Sequence, residues 1–257
     1  MGESVLYEVR DQVAWITLNR PDNHNALTSE LTEELDEALE KANLDDGARL
    51  IVLAANGRHF CAGADLKRSG QGALGTRGRH GPTRYTSIVT QILEGAKPVL
   101  ARVQGGAFAG GLGVMSACDI VVAAESSKFA FTEVRLGLAP WMLSVVLQRK
   151  GALQACAPWL LNGERFDAHQ GMALNIVQRV APDAELDAAL REEVDRFLLC
   201  APNALKETKR LLRTVPRMAL TEALEFSAQE SAKLFASEEG QEGMAAFKEK
   251  RKPRWAG

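Results

Sequence analysis

The sequence predicts an α/β fold followed by a helical region, and three observations carry that reading. Apolar, β-prone runs alternate with helix-period segments as far as about Ala184. Several of those runs are continuously apolar, as expected of strands covered on both faces. Beyond about Ala184 every apolar pattern has the helical period.

The elements follow in order. Val5 to Arg10 and Val13 to Asn19 flank Asp11-Gln12, which predicts a hairpin. Thr28 is placed to cap a helix with Leu31, Leu35, Ala38, Leu39 and Ala42 on one face, stopped by Asp46-Gly47. Leu50 to Ala55 is an apolar run bounded by charge and by Asn56-Gly57, a buried strand. Ser69 to Pro82 is glycine-rich, carries Arg77, Arg79 and His80, and reads as a mobile loop. A helix is expected from about Thr83 to Glu94, then strands at Val99 to Val103 and Ile120 to Ala124 around the glycine-dense segment Gly105 to Gly113. In the C-terminal region Leu205, Leu211, Leu212, Leu220, Leu224, Phe226, Met244 and Phe247 supply the apolar positions. Helices of that kind commonly pack against another subunit.

Bulk properties narrow the function. The chain has 257 residues and a formal net charge of -2, so nothing global points to nucleic acid or an anionic membrane. Cys61, Cys118, Cys156 and Cys200 lie far apart without ligand-like spacing, and the start lacks a basic, apolar leader. No apolar run is long enough to span a bilayer, so a cytoplasmic protein is expected. There is no GxSxG elbow, no lysine follows the Gly105–Gly110 separation, and Ser116 stands where a dinucleotide fingerprint needs its third glycine. His24, His59, His80 and His169 show no metal-ligand spacing, so no metal site is expected.

Two segments stand out chemically: His59-Phe60-Cys61-Ala62-Gly63-Ala64-Asp65-Leu66 and Val103-Gln104-Gly105-Gly106-Ala107-Phe108-Ala109-Gly110-Gly111-Leu112-Gly113. Each puts small residues at a strand-to-helix junction, where unpaired backbone N–H groups can face an anion. Two such groups could hold a thioester oxygen as it becomes an oxyanion, each contributing roughly 3 kcal/mol. The alternative is close helix–strand packing through small residues.

Taken together, "VAWITLNRPDNHNAL", "HFCAGADL", "GGAFAGGLGVMSACDIVVA", "FAFTEVRLGLAP" and "FKEKRKPRW" resemble, in order, the signatures of the enoyl-CoA hydratase/isomerase (crotonase) family. The resemblance spans almost the whole chain. It implies a spiral of ββα units over residues 1–190 and a helical region over 191–257 that forms trimers, often paired into hexamers. It implies an acyl-CoA thioester as substrate and no cofactor, coenzyme A being part of the substrate. By the same resemblance the oxyanion donors are the amides of Ala64 and Gly110. The coenzyme would run along Asn25, Ala26, Ala62, Asp65, Leu66 and Lys67, with Phe247 and Lys250 reaching a neighbour's ligand.

The standard hydratases place two glutamates beside the substrate double bond. Here the second is matched by Glu133 in Thr132-Glu133-Val134-Arg135-Leu136-Gly137, whereas Gly113 occupies the position of the first. Glu133 is therefore the expected acid–base group, with a pKa raised by burial; Glu125 and Asp119 are weaker candidates, Asp119 as a structural residue. The resemblance implies a hydratase working through one carboxylate, and the motif resembles the subgroup acting on branched glutaconyl-type thioesters. A double-bond isomerase needs only one carboxylate as well. Thioester hydrolysis, decarboxylation and a non-catalytic acyl-CoA-binding subunit use the same fold. Arg77, Arg79 and Arg84 are the candidates for holding a substrate carboxylate in fork geometry.

Overall fold

The computed structural model describes residues 3–65 and 77–256. Leu66, Lys67 and the part of the glycine-rich stretch up to residue 76 lie outside the described residues.

β1 (Val5–Arg10) and β2 (Val13–Leu18) form the expected antiparallel hairpin. Asp11 and Gln12 both take positive φ, 50° and 62°, which matches the turn to the twist of the strands. α1 (Ser29–Leu44) starts where Thr28 accepts a hydrogen bond from the Leu31 amide. β3 (Leu50–Ala55) lies between β2 and β4, parallel to both. α2 (Arg84–Glu94) opens with a reciprocal capping box between Thr83 and Thr86, and β4 (Val99–Val103) follows. The glycine-dense segment divides into β5 (Gly106–Phe108) and α3 (Ala109–Ala117), and then β6 (Ile120–Ala124) returns to the main sheet.

Past β6 the chain is assembled from short pieces that hydrophobic periodicity does not register. These are β7 (Lys128–Ala130), α4 (Trp141–Arg149), α5 (Ala157–Asn162), β8 (Arg165–Asp167), α6 (Ala168–Ala173) and β9 (Arg179–Ala181). Three-residue strands cannot display a period of two. Tertiary packing identifies them instead: Phe129 and Phe166, paired across β7 and β8, stack with ring centroids 5.6 Å apart. The remainder is helical, as expected: α7 (Leu186–Leu198), α8 (Pro202–Thr214), α9 (Leu220–Ala236) and α10 (Glu238–Glu249). Residues 190 and 191, where the sequence suggests a division, lie inside α7.

The main sheet runs β1-β2-β3-β4-β6-β9, parallel apart from β1, and a second sheet runs β5-β7-β8. The continuous apolar runs are explained by two cores. Ile51, Leu53 and Ala55 of β3 join the larger core with α1, α2 and α3, while Leu50 and Val52 face the opposite way into a core closed by α7. β4 and β6 divide their side chains in the same manner.

One buried charge fastens α8 to this body. Lys209, 6% exposed, donates to the carbonyls of Ile92 (2.7 Å) and Lys97 (2.9 Å) and to Asp119 Oδ2 (2.7 Å). The same Asp119 oxygen accepts from the Val99 amide at 2.7 Å. Asp119 thus does the structural work expected of it. By contrast Leu211, Leu212, Leu220, Leu224 and Phe247 are exposed on the single chain, so these apolar positions contribute nothing to its core.

Removing the ammonium should be costly. Lys209→Met should lower the unfolding free energy by about 3 kcal/mol, the lower end for breaking a buried pair, because Asp119 keeps 29% side-chain exposure. Urea denaturation measures this, and adding Asp119→Asn should recover part of the loss.

Candidate active site

Three neighbouring parallel strands deliver the chemistry. The chain leaving β3 becomes residues 56–65, that leaving β4 becomes β5 and α3, and that leaving β6 leads through β7 to Glu133. Loops at the carboxyl ends of adjacent parallel strands are where open α/β sheets gather ligand groups.

The segment after β3 is held from both sides. The Phe60 amide donates to Gln104 O (3.1 Å), the Cys61 amide to Gly106 O (3.2 Å), and the Phe108 amide returns to Cys61 O (3.0 Å). On its other flank the Ala62 amide donates to His24 O (3.0 Å) and the Leu27 amide to Gly63 O (2.8 Å). Leu27 and Ala64 form a parallel bridge, so the Ala64 N–H faces away from Leu27, and no hydrogen bond among the described residues takes it up.

Gly63 is where the two motifs touch. Its φ is +87°, and a Cβ there would lie 2.8 Å from Phe108 O and 3.1 Å from Ala109 Cβ. Ala109 opens α3 with φ +46°, a left-handed conformation costing a non-glycine residue about 1 kcal/mol. Phe108 provides no side-chain cap, so the Gly110 amide in the first turn has no capping partner among the described residues. The structure therefore brings Ala64 and Gly110, the expected donors, to one place.

Packing accounts for some of the glycines but not all. At Gly111 a Cβ would sit 2.6 Å from Cys61 O and Sγ, so close packing requires glycine there. At Gly110 a Cβ would meet only side chains, Leu27 Cδ1 at 3.2 Å and the Tyr85 ring at 3.4 Å. Packing asks less of Gly110, and keeping its amide accessible is the better reason for a glycine.

Glu133 opens a 3-10 turn, Glu133–Leu136, closed by Gly137 in the left-handed region at φ 73°. The Glu133 side chain is half-buried, and its Oε2 is enclosed without a hydrogen-bond partner among the described residues. Burial pushes its pKa above the ordinary 4.5. Sequence reasoning missed Tyr85, which is buried at the start of α2. Its hydroxyl donates to Gly110 O at 3.2 Å, and burial together with the charges of Cys61 and Glu133 raises its pKa. The signal was Gly113 itself: a buried helix position without a side chain needs a neighbour to fill it.

Other candidates separate. Asn25 is fully buried, and its polar atoms are spent inside the protein, Oδ1 on the Arg20 amide and Nδ2 on Asn56 O and His59 O. Its main-chain N–H donates to Arg20 O and its carbonyl accepts from Cys61 Sγ. The expectation of a coenzyme contact is thereby corrected: Asn25 is a clamp for the first motif. Ala26, Ala62 and Asp65 are partly exposed beside the Ala64 amide, and Phe247 and Lys250 lie exposed at the end of α10, outside this cluster. Arg84 pairs with Glu33 at 2.6 Å and Arg79 contacts Glu37 at 3.5 Å, both on α1. Both of these arginines, expected as candidates for a substrate carboxylate, thus have acids of α1 beside them. Glu125 contacts His169 on the exposed surface at 3.4 Å. Among the described residues no cluster of His, Cys, Asp and Glu could hold a metal, and no helix is long and apolar enough to cross a membrane.

Comparison with known proteins agrees with this geometry. The family described as enoyl-CoA hydratase/isomerase matches residues 8–257. The chain is 32% identical over 259 residues to an enoyl-CoA hydratase, EchA19, of Mycobacterium tuberculosis, covering 98% of this chain and 96% of the relative. It is 32% identical over 263 residues to the carnitinyl-CoA dehydratase of Escherichia coli K12, covering both chains completely. The crystal structure of an enoyl-CoA hydratase from Mycobacterium smegmatis superposes with a TM-score of 0.89 at 30% identity, over 99% of each chain.

The raised Glu133 pKa has a consequence for stability. Ionising this carboxyl costs the folded state more than the unfolded one, so the contribution of Glu133 falls as pH rises above 4.5. Glu133→Gln escapes that penalty. Its melting temperature should exceed that of the wild type at pH 8, and the gap should close toward pH 4, as calorimetry at several pH values can measure.

Proposed function

We propose that this chain, which belongs to the enoyl-CoA hydratase/isomerase family, adds water across the α,β double bond of an enoyl-CoA thioester with Glu133 as its one acid–base group. The observations that carry the reading are a Glu133 oxygen enclosed without a hydrogen-bond partner among the described residues, and the contact of Gly63 with the entry to α3, which joins the two turns that carry Ala64 and Gly110. The relatives' names, enoyl-CoA hydratase and carnitinyl-CoA dehydratase, both describe adding or removing water.

In this reading the thioester oxygen lies between the two amides, which stabilise the negative charge as it develops. Water bonds to the β-carbon and gives a proton to Glu133. The enolate then takes that proton at the α-carbon as the thioester carbonyl re-forms. A carboxyl with a raised pKa suits both halves, because it must accept and return the proton near neutral pH. No cofactor enters beyond the coenzyme A of the substrate. In this reading Phe247 and Lys250, exposed at the end of α10, serve a neighbouring subunit's ligand, and the exposed leucines of α8 and α9 pack in a trimer or a pair of trimers. The branched glutaconyl-type substrate is supported by its motif likeness, with Arg79 and Arg84 each beside an acid of α1.

A double-bond isomerase is the second reading, favoured by Gly113, since moving one proton between allylic carbons needs a single carboxylate. A panel of straight-chain, branched and carboxylated enoyl-CoAs, assayed for hydration and for double-bond migration with binding measured in parallel, separates the two. A chain that binds but turns over none of them is a binding subunit.

On the best substrate, Glu133→Gln should bind with nearly unchanged affinity and turn over about 10³–10⁴-fold more slowly. Retention of more than about a tenth of the wild-type rate would show that another group handles the proton. Gly110→Val should lower kcat about 10²–10³-fold with a small change in melting temperature, because its Cβ meets only the movable side chains of Leu27 and Tyr85. Gly63→Ala, forced against Phe108 O, should lose stability and rate together.

A further inference from the structure

The chain that leads into the Gly110 turn is held by a side chain whose bonding depends on its charge. His59 opens the first motif, and its Nδ1 accepts a hydrogen bond from the Gly106 amide at 3.0 Å. An amide N–H can only donate, so this ring nitrogen carries a lone pair, and the ring is neutral with its proton on Nε2. Gly105 and Gly106 leave room for it: Cβ atoms there would lie 3.2 and 3.0 Å from Nδ1. Gly106 is buried at the start of β5, the strand that runs through Phe108 into Ala109 and Gly110. The main-chain bonds between Cys61 and β5 lie directly beside this one. His59 and Cys61 together set where β5 lies against the first motif.

The surroundings oppose charging the ring. His24, from the segment between β2 and α1, meets it edge-on with ring centroids 4.9 Å apart. Phe108 of β5 packs against it at 6.2 Å, and the Arg165 guanidinium on β8 lies 5.6 Å from the centre of that Phe108 ring. Arg58 precedes it in the chain. Burial first, and then the charges of His24, Arg58 and Arg165, hold the His59 pKa below the ordinary 6.5. The bond is therefore intact at pH 8 and is lost as pH falls through that lowered value. Protonation sets an Nδ1–H against the Gly106 N–H, donor facing donor, and strips a buried amide of its partner.

We propose that His59 is a positioning residue that works only while neutral: it fixes β5, and with it the turn carrying Gly110, against the first motif, and releases them when protonated. This rests on the reading of the Gly110 amide as an oxyanion donor. The fall of the rate in acid then has two sources, His59 and Glu133.

Two variants of the full chain separate this role from packing. His59→Asn keeps an acceptor near the place of Nδ1 but cannot titrate, and His59→Phe keeps a ring without an acceptor. Their kcat on the best enoyl-CoA is followed from pH 8 to about pH 5. Glu133 is present in all three proteins, so its titration cancels in the ratios. At pH 8 the Asn variant should turn over within about threefold of wild type. The Phe variant should be about tenfold slower, the cost of one unmet hydrogen bond. As pH falls, the wild type should lose about tenfold relative to the Asn variant and converge on the Phe variant. Titration of nitrogen-15-labelled histidines in the wild type, with His59 identified by its absence from His59→Asn, should show the Nε2–H form. Its midpoint should lie below 6.5 and coincide with the convergence.

A constant ratio of wild type to Asn variant, a Phe variant within about threefold of wild type at pH 8, or a neutral His59 protonated on Nδ1 overturns the role. So does loss of folded circular dichroism in step with the rate, because the histidine would then hold the fold and not the turn. If no member of the panel is hydrated, the hydratase reading fails, and the three proteins are compared for affinity toward a saturated acyl-CoA. The same pH pattern in affinity keeps the role of His59, and a pH-independent ratio removes it.

Discussion

The contact between Gly63 and the entry to α3 is the constraint from which the rest of the site follows. Two chain segments that leave adjacent strands approach so closely that a single Cβ at Gly63 would collide with Phe108 O. The approach is maintained by main-chain hydrogen bonds on both flanks of residues 60–63 and by the Asn25 side chain, which clamps the loop from beneath. The left-handed Ala109 is the local cost of turning the chain into α3 at that spot. Both segments leave strands β3 and β4, which are buried on both faces and hold the turns in place.

The molecule treats its buried charges in two opposite ways. Lys209 and Asp119 are satisfied by one another and by main-chain groups, and they join the helical region to the sheet. Glu133 is half-buried with one oxygen unpaired among the described residues, and burial raises its pKa. The first arrangement holds structure; in the second, burial disfavours the ionised carboxylate. Glu125, by contrast, is exposed and lies near His169.

Space and hydrogen bonding are coupled where α2 meets α3. Tyr85 fills what Gly113 leaves open, and its hydroxyl ends on the carbonyl of Gly110, whose amide faces the site. α2 therefore contributes to the site as well as to the core. The arginine just before Tyr85, Arg84, is bound to Glu33 and fastens α2 to α1.

Much of this was legible along the chain. The hairpin, α1 with its Thr28 cap, the doubly covered strands and the helical end are written in local periodicity and capping chemistry, which depend on near neighbours alone. The two glycine-rich segments and Glu133 were legible as ordered motifs. The three-residue strands β7, β8 and β9 were not, because their identity lies in partners far along the chain. Nor were the duties of Asn25, Arg79 and Arg84, whose polar groups could be assigned only once their partners were in place. Tyr85 is the clearest case. As one aromatic in a predicted helix it carries no chemical signal, and its meaning comes from a hydroxyl that ends in the space above Gly113. Sequence by itself determined which segments become strands, helices and amide-presenting turns, because those follow from local sterics and burial patterns. Only the tertiary structure decided that Tyr85 fills the space left at Gly113, because that depends on how α2 and α3 pack across each other.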